Sequence, residues 1–169
     1  VPDRAVDVRA VVTSAPSLDP FAGLVTAESE VVWRARLEED GWRLAAEPES
    51  THLRLPPDGG AAATAREWID ATATCDAARA RDLQAVDVLY GPADIVAAPC
   101  RRPASWAVGA PAPLSESPDT FALQAAFGSD VASWGRIVPV RAPGAPSFFV
   151  ALAPVGDHWR VMGVTAANP

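Results

Sequence analysis

Residues 146–165 read Pro146-Ser147-Phe148-Phe149-Val150-Ala151-Leu152-Ala153-Pro154-Val155, then Gly156-Asp157, then His158-Trp159-Arg160-Val161-Met162-Gly163-Val164-Thr165. The first run is nearly all apolar. The second alternates, with Trp159 and Val161 toward one face and Arg160 and Met162 toward the other, as in a half-buried strand. Gly-Asp between two such runs is a short-hairpin signal. The reading is therefore two antiparallel strands with Trp159 turned inward. Much the same phrase occurs earlier, as Val32-Trp33-Arg34-Ala35-Arg36-Leu37 followed by Asp40-Gly41-Trp42-Arg43-Leu44.

Outward from this hairpin, composition sets the bounds. The chain has 169 residues, 49% of them hydrophobic, enough for one packed domain or one and a piece of a second. Net charge is −7, with all 14 basic residues arginine. An acidic surface repels phosphate, which argues against non-specific binding to nucleic acid or to an anionic membrane. The absence of lysine, with abundant alanine and proline, is the compositional mark of a high-GC genome. No apolar run is long enough to span a bilayer, and no secretory signal is present. The chain opens Val1-Pro2-Asp3 without methionine. The expectation is a mature fragment, with any membrane attachment made by a segment outside this chain.

Residues 1–50 read as a three-stranded β module: 5–13, 25–37 and 42–46. Val6, Val8, Ala10 and Val12 share one face of the first, Val31, Trp33, Ala35 and Leu37 one face of the second, and Trp42, Leu44 and Ala46 one face of the third. Such a sheet has one apolar face and nothing in its own segment to cover it. Residues 51–60 read as a linker ending in Pro56-Pro57-Asp58-Gly59-Gly60. Thr64 and Glu67 have the spacing of a capping box, which predicts a helix running to about residue 80. A second short helix is expected from Asp82 through Leu83, Val86, Leu89 and Tyr90, stopped at Gly91-Pro92. Then come an irregular stretch over 95–103, a short strand at 106–109 and a proline-rich loop over 111–118. Strands follow at 120–127, 135–141, 147–155 and 158–165. Phe121, Leu123, Ala125 and Phe127 would share a face of the first of these. Pro139 inside a strand predicts an edge or a bulge.

The two hairpins lie 117 positions apart, pairing Asp40 with Asp157, Trp42 with Trp159 and Arg43 with Arg160. Two related modules are expected: a complete one over 61–169 and, over 1–50, only the sheet half of another. The stretch Cys75-Asp76-Ala77-Ala78-Arg79-Ala80-Arg81-Asp82-Leu83, then Leu89-Tyr90-Gly91-Pro92, then strands closing on Asp157-His158-Trp159-Arg160-Val161, resembles the nuclear-transport-factor-2-like fold. That resemblance implies an α+β domain in which helices pack on a curved antiparallel sheet to form a cone. Paired modules of this composition are similar to actinobacterial cell-envelope proteins, among them the conjugation-channel group typified by TcpC, and to N-terminal modules of some penicillin-binding proteins. The resemblance implies an extracytoplasmic scaffold, secreted or membrane-anchored.

Chemistry-bearing residues are sparse. Catalytic members of the resembled family use an acid, histidine or tyrosine in the cone. Asp70, Asp76, Tyr90, Trp106, Asp130 and His158 are the candidates here, with Asp76, Tyr90 and His158 foremost if the chain is an enzyme. Each has a plainer reading. Asp76 and Asp82 suit helix caps or surface charges, His158 an exposed strand position, Tyr90 a packed ring with its hydroxyl at the rim, and His52 a solvated linker. No Ser-His-Asp set, phosphate loop or metal-ligand spacing is present, and no cofactor is called for. Glu38-Glu39-Asp40 fits a solvated turn. Trp68, Tyr90, Trp106, Phe121 and Trp134 are candidate linings for an apolar pocket, against a default of core packing. Cys75 and Cys100 are either two buried thiols or a disulfide. As a bridge they would close a loop of roughly 25 residues, contribute about 3 kcal/mol and point to an oxidising compartment.

Two functions compete. One is a non-catalytic assembly module that engages protein partners or its own copies through the 1–50 sheet; it requires an apolar face open on that sheet. The other is a pocket protein, a small-ligand binder or a dehydratase, isomerase or cyclase. It requires a deep cavity within 61–169 reached by a buried acid or histidine.

Overall fold

The fold, taken from a computed structural model that describes residues 4–14, 27–91, 106–129, 131–141 and 146–167, is α+β. It begins β1 (Ala5–Ser14), β2 (Ala27–Glu38), β3 (Gly41–Leu44) and β4 (Ser50–Arg54), then α1 (Asp58–Ala73) and α2 (Ala77–Asp82). Next come β5 (Ala107–Val108), β6 (Ala112–Pro113), a single 3₁₀ turn (Leu114–Glu116), α3 (Thr120–Phe127) and α4 (Val131–Trp134). It closes with β7 (Arg136–Arg141), β8 (Phe148–Val155) and β9 (His158–Ala166). There are two antiparallel sheets. The first has the order β1-β2-β3, with β4 beside β3 on β2; the second has the order β5-β7-β8-β9, with β6 beside β5 on β7.

The closing hairpin forms as its sequence predicts. Val155 pairs with His158 across Gly156-Asp157, and Gly156 takes the positive φ of 60° that the tight turn needs. β8 is apolar on both sides because both sides are covered. Phe148, Val150 and Leu152 are buried, and so are Ala151 and Ala153 between them. Trp159, only 2% exposed, projects from β9 beneath α1. Its indole N–H donates to the Pro57 carbonyl at 3.0 Å, and its own carbonyl accepts from the Thr64 hydroxyl at 3.3 Å. Arg136 lies over the ring, 5.6 Å from its centre, and its Nε donates to Asp58 at 2.9 Å. Gly60 eases the approach: a Cβ there would sit 3.3 Å from the indole edge, a tight contact. The core spreads from this point through Trp68, Ile69, Leu114, Leu123, Phe127 and Trp134. No described residue of β1–β4 belongs to it.

Several expectations change. Helix α1 starts at Asp58, one turn and more before the Thr64–Glu67 box, so those side chains serve elsewhere. Thr64 bonds to Trp159 and Glu67 pairs with Arg79 at 2.9 Å. The 51–60 stretch is not irregular; it holds most of β4 and the first turn of α1. The second helix begins before Asp82 and not at it. Asp76 caps it, accepting from the Arg79 N–H at 3.0 Å. Residues 83–91 then run parallel to the outer edge of β9, with Ala85 N–H on the Val161 carbonyl (2.8 Å) and Val164 N–H on the Tyr90 carbonyl (2.7 Å). Gly163 permits this, since a Cβ there would lie 2.6 Å from the Tyr90 carbonyl oxygen.

Residues 120–127 form α3 and not a strand. Leu123 and Phe127, four apart, are the buried pair, while Phe121 is 84% exposed. Pro139 stands in a central strand, with no bulge in its own pairing. Its carbonyl accepts from Gly109 N–H at 2.8 Å, so its nitrogen faces the β5/β6 side. There the two short strands leave a gap, Val108 pairing with Val140 and Ala112 with Ile137. The missing donor therefore costs no ladder bond. The irregularity falls in β9, where Met162 is an extra residue between the Leu152–Val161 and Ala151–Gly163 pairs.

Helix α1 ends in a Schellman turn. Asp76 N–H returns to the Ala71 carbonyl (2.9 Å) and Cys75 N–H to that of Thr72 (3.3 Å). Cys75 holds the left-handed position at φ 65°, where glycine is the usual residue. Two outcomes follow from this geometry. Trp159→Ala lowers stability by about 3–5 kcal/mol in urea denaturation, whereas Trp42→Ala, at the matching place in the first hairpin, costs under about 1 kcal/mol. Among variants that lack the cysteine, Cys75→Gly exceeds Cys75→Ala in unfolding free energy by about 1 kcal/mol, because only alanine opposes the left-handed turn.

Candidate functional site

Register decides what the first sheet presents. Val8 lies opposite Trp33, Val6 opposite Ala35 and Ala10 opposite Val31 across β1 and β2. Leu44 lies opposite Ala35 and Trp42 opposite Leu37 across β2 and β3. All of these side chains stand on one face. The other face carries Asp7, Arg9, Glu30, Arg34, Arg36, Glu38 and Arg43. Arg36 and Arg43 stand directly opposite one another. Glu38 at 3.0 Å and Asp40 both pair with Arg43 and offset that repulsion. Arg9 holds Glu30 at 3.2 Å, and Arg34 approaches Glu49 at 3.8 Å.

The apolar face is open. On the central strand Val31 and Ala35 are buried, but Val6, Val8, Val12, Leu37, Trp42 and Leu44 around them are exposed. Trp42 is 52% exposed, against 2% for its counterpart Trp159. A group of exposed apolar side chains on one face of a sheet, with charged residues on the other, is the signature of a docking surface.

The remaining candidates are scattered. Asp70 is an exposed residue of α1, and Asp76 is spent capping α2. Tyr90 is half-buried, its ring edge-on to Phe127 at 6.1 Å. His158 is exposed and lies 3.1 Å from Asp157. No hydrogen bond or ion pair joins Asp76, Tyr90 and His158 among the described residues. Trp106 stacks edge-on against Phe148 at 5.4 Å. Trp68 and Trp134 are core residues. Phe121 is 84% exposed: on a helix it points away from Leu123, so the face read from alternation is the wrong one. Of these aromatics, Trp68 alone borders the cleft of about 540 Å³ between α1, α2 and residues 84–89. A second cleft, of about 550 Å³, opens beside Pro139, Arg141 and Phe149. Among the described residues the buried polar side chains are Ser117 and Thr165; no acid or histidine is buried.

Cys75 is disulfide-bonded. The chain's other cysteine, Cys100, lies outside the described residues, as do Asp130 and the side chain of His52. Among the described residues no cluster of three His, Cys, Asp or Glu is placed to hold a metal, and no helix is long and apolar enough to cross a membrane. Sequence reading alone singles out neither the edge of β1 nor the pairing of β4. No family model, curated protein or solved structure matches this chain.

The open face has a direct readout. Replacing Val8 and Trp42 together with lysine lowers binding of an environment-sensitive apolar dye several-fold. It leaves the unfolding free energy of the single chain within about 1 kcal/mol of the parent, because each side chain already keeps more than a third of its surface in water.

Proposed function

We propose that this chain is a non-catalytic assembly module, an extracytoplasmic scaffold within a cell-envelope complex of the conjugation or secretion kind. In this reading residues 61–169 form a nuclear-transport-factor-2-like cone, and the 1–50 sheet is the surface by which the module engages protein. The observation that carries it is the open apolar face of β1–β3. Burying such a face contributes about 25 cal/mol for each Å² removed from water, so its exposure is a standing drive toward association. The largely charged reverse face favours covering the other side. The disulfide at Cys75 supports an oxidising, extracytoplasmic setting. The acidic balance of charge disfavours nucleic acid as the partner.

The test is a photo-crosslinking residue at Leu44, on the open face, with Phe121 on α3 as an exposed control. In envelope-bearing cells that produce the protein, irradiation yields a protein adduct at Leu44 and none at Phe121. Equal labelling at both sites, or adducts at neither, overturns the reading.

A further inference from the structure

Among the described residues, β1 is an open edge. It runs ten residues, Ala5–Ser14, without proline, glycine or bulge, and among the described residues it pairs with β2 alone. The other long edge strand is treated differently: residues 83–91 bond along β9 and close it. Natural sheets rarely leave a straight, regular edge open, because its backbone groups invite another strand.

The direction of those groups is fixed. The Arg4 carbonyl accepts from Leu37 N–H at 3.0 Å, so even-numbered residues of β1 turn their backbone groups to β2. Odd-numbered residues, Ala5, Asp7, Arg9 and Val11, turn theirs outward. We infer that a second copy of this chain pairs there, β1 against β1 and antiparallel, about a two-fold axis through Val8.

Three constraints select that register. An odd shift would set the apolar face of one copy beside the charged face of the other. Among even shifts, centring on Asp7 opposes two carboxylates, and centring on Arg9 opposes two guanidinium groups. Centring on Val8 sets Asp7 opposite the partner's Arg9, and Arg9 opposite the partner's Asp7, in hydrogen-bonded positions with complementary charge. Asp7 makes no ion pair within its own chain among the described residues. On the other face Val8 meets Val8, and Val6 meets Ala10. The apolar platform then becomes continuous across both copies, about 29 Å wide where one copy gives about 14 Å.

This rests on the reading of the 1–50 sheet as an association surface and names its first occupant. Sedimentation velocity on the full chain is expected to show a monomer–dimer equilibrium. Asp7→Arg or Arg9→Asp alone weakens dimerisation about tenfold or more, and the double swap restores it, with far-UV circular dichroism unchanged throughout. Val8→Cys, placed on the axis, forms an intermolecular disulfide on mild oxidation, whereas Val6→Cys does not. A chain that stays monomeric to millimolar concentration overturns the inference. So does a dimer that ignores the charge swap and fails to cross-link at position 8. In either case a hetero-protein adduct at Leu44 would leave the broader reading standing, while loss of that adduct with dimerisation intact would remove the broader reading alone.

Discussion

The structure turns on the closure of α1 over Trp159. A two-residue hairpin delivers the indole to one side of β9, and the N-terminus of the helix meets it with a carbonyl acceptor. Pro57 takes the indole N–H at 3.0 Å, Gly60 leaves room at the ring edge, and Arg136 lies over the ring while holding Asp58. The Asp58 carboxylate is 59% exposed, so that ion pair alone is worth under about 1 kcal/mol. The weight rests on the buried ring and its satisfied N–H, because an indole buried without a partner loses part of what its area gains. Once α1 is fixed there, Trp68 and Ile69 are directed onto the sheet and the rest of the core has a wall.

The first hairpin has the same turn length and the same Trp-Arg step, but no helix among the described residues packs on it. Glu38 pairs with Gly41 as Val155 pairs with His158, so the local pairing is equivalent. What differs is coverage. A strand pattern specifies which face is apolar; it does not specify what will lie against that face. Trp42 and Trp159 show this directly, with one local sequence and two fates set by tertiary context.

That distinction also explains which elements are legible in the sequence. The long strands can be read because alternation and two-residue turns are local. Residues 120–127 mislead because Phe121, Leu123, Ala125 and Phe127 satisfy an alternating template while Leu123 and Phe127 satisfy a helical one. Alanine and glutamine between them decide for the helix. The start of α1 is hidden because Asp58-Gly59-Gly60 resembles a turn, and the close approach of the Trp159 ring to Gly60 is a tertiary contact that no local pattern shows. Pro139 reads as an edge residue because its missing donor has to face no partner. The gap between β5 and β6 meets that requirement inside the sheet, and no local pattern announces a gap. The open face of the first sheet is legible as a face. Its edge is not, because the outward direction of the Asp7 and Arg9 backbone depends on which residue of β2 bonds Arg4.

The two sheets handle the same hazard in opposite ways. In the second, backbone groups that could recruit a foreign strand are consumed within the chain: residues 83–91 occupy β9, and β5 and β6 occupy β7. In the first, β3 and β4 fill one side of β2, and Ala45 and Glu49 even take the Arg34 and Val32 carbonyls between them. β1 is left with a regular ladder edge and an opposed charge pair two residues apart. An edge guarded against aggregation would carry a proline, a bulge or like charges at that position. Asp7 and Arg9 instead permit one antiparallel register and penalise its neighbours. An edge that is open yet selective against its neighbouring registers fits controlled pairing better than neglect, and it joins the apolar face and the edge into one surface.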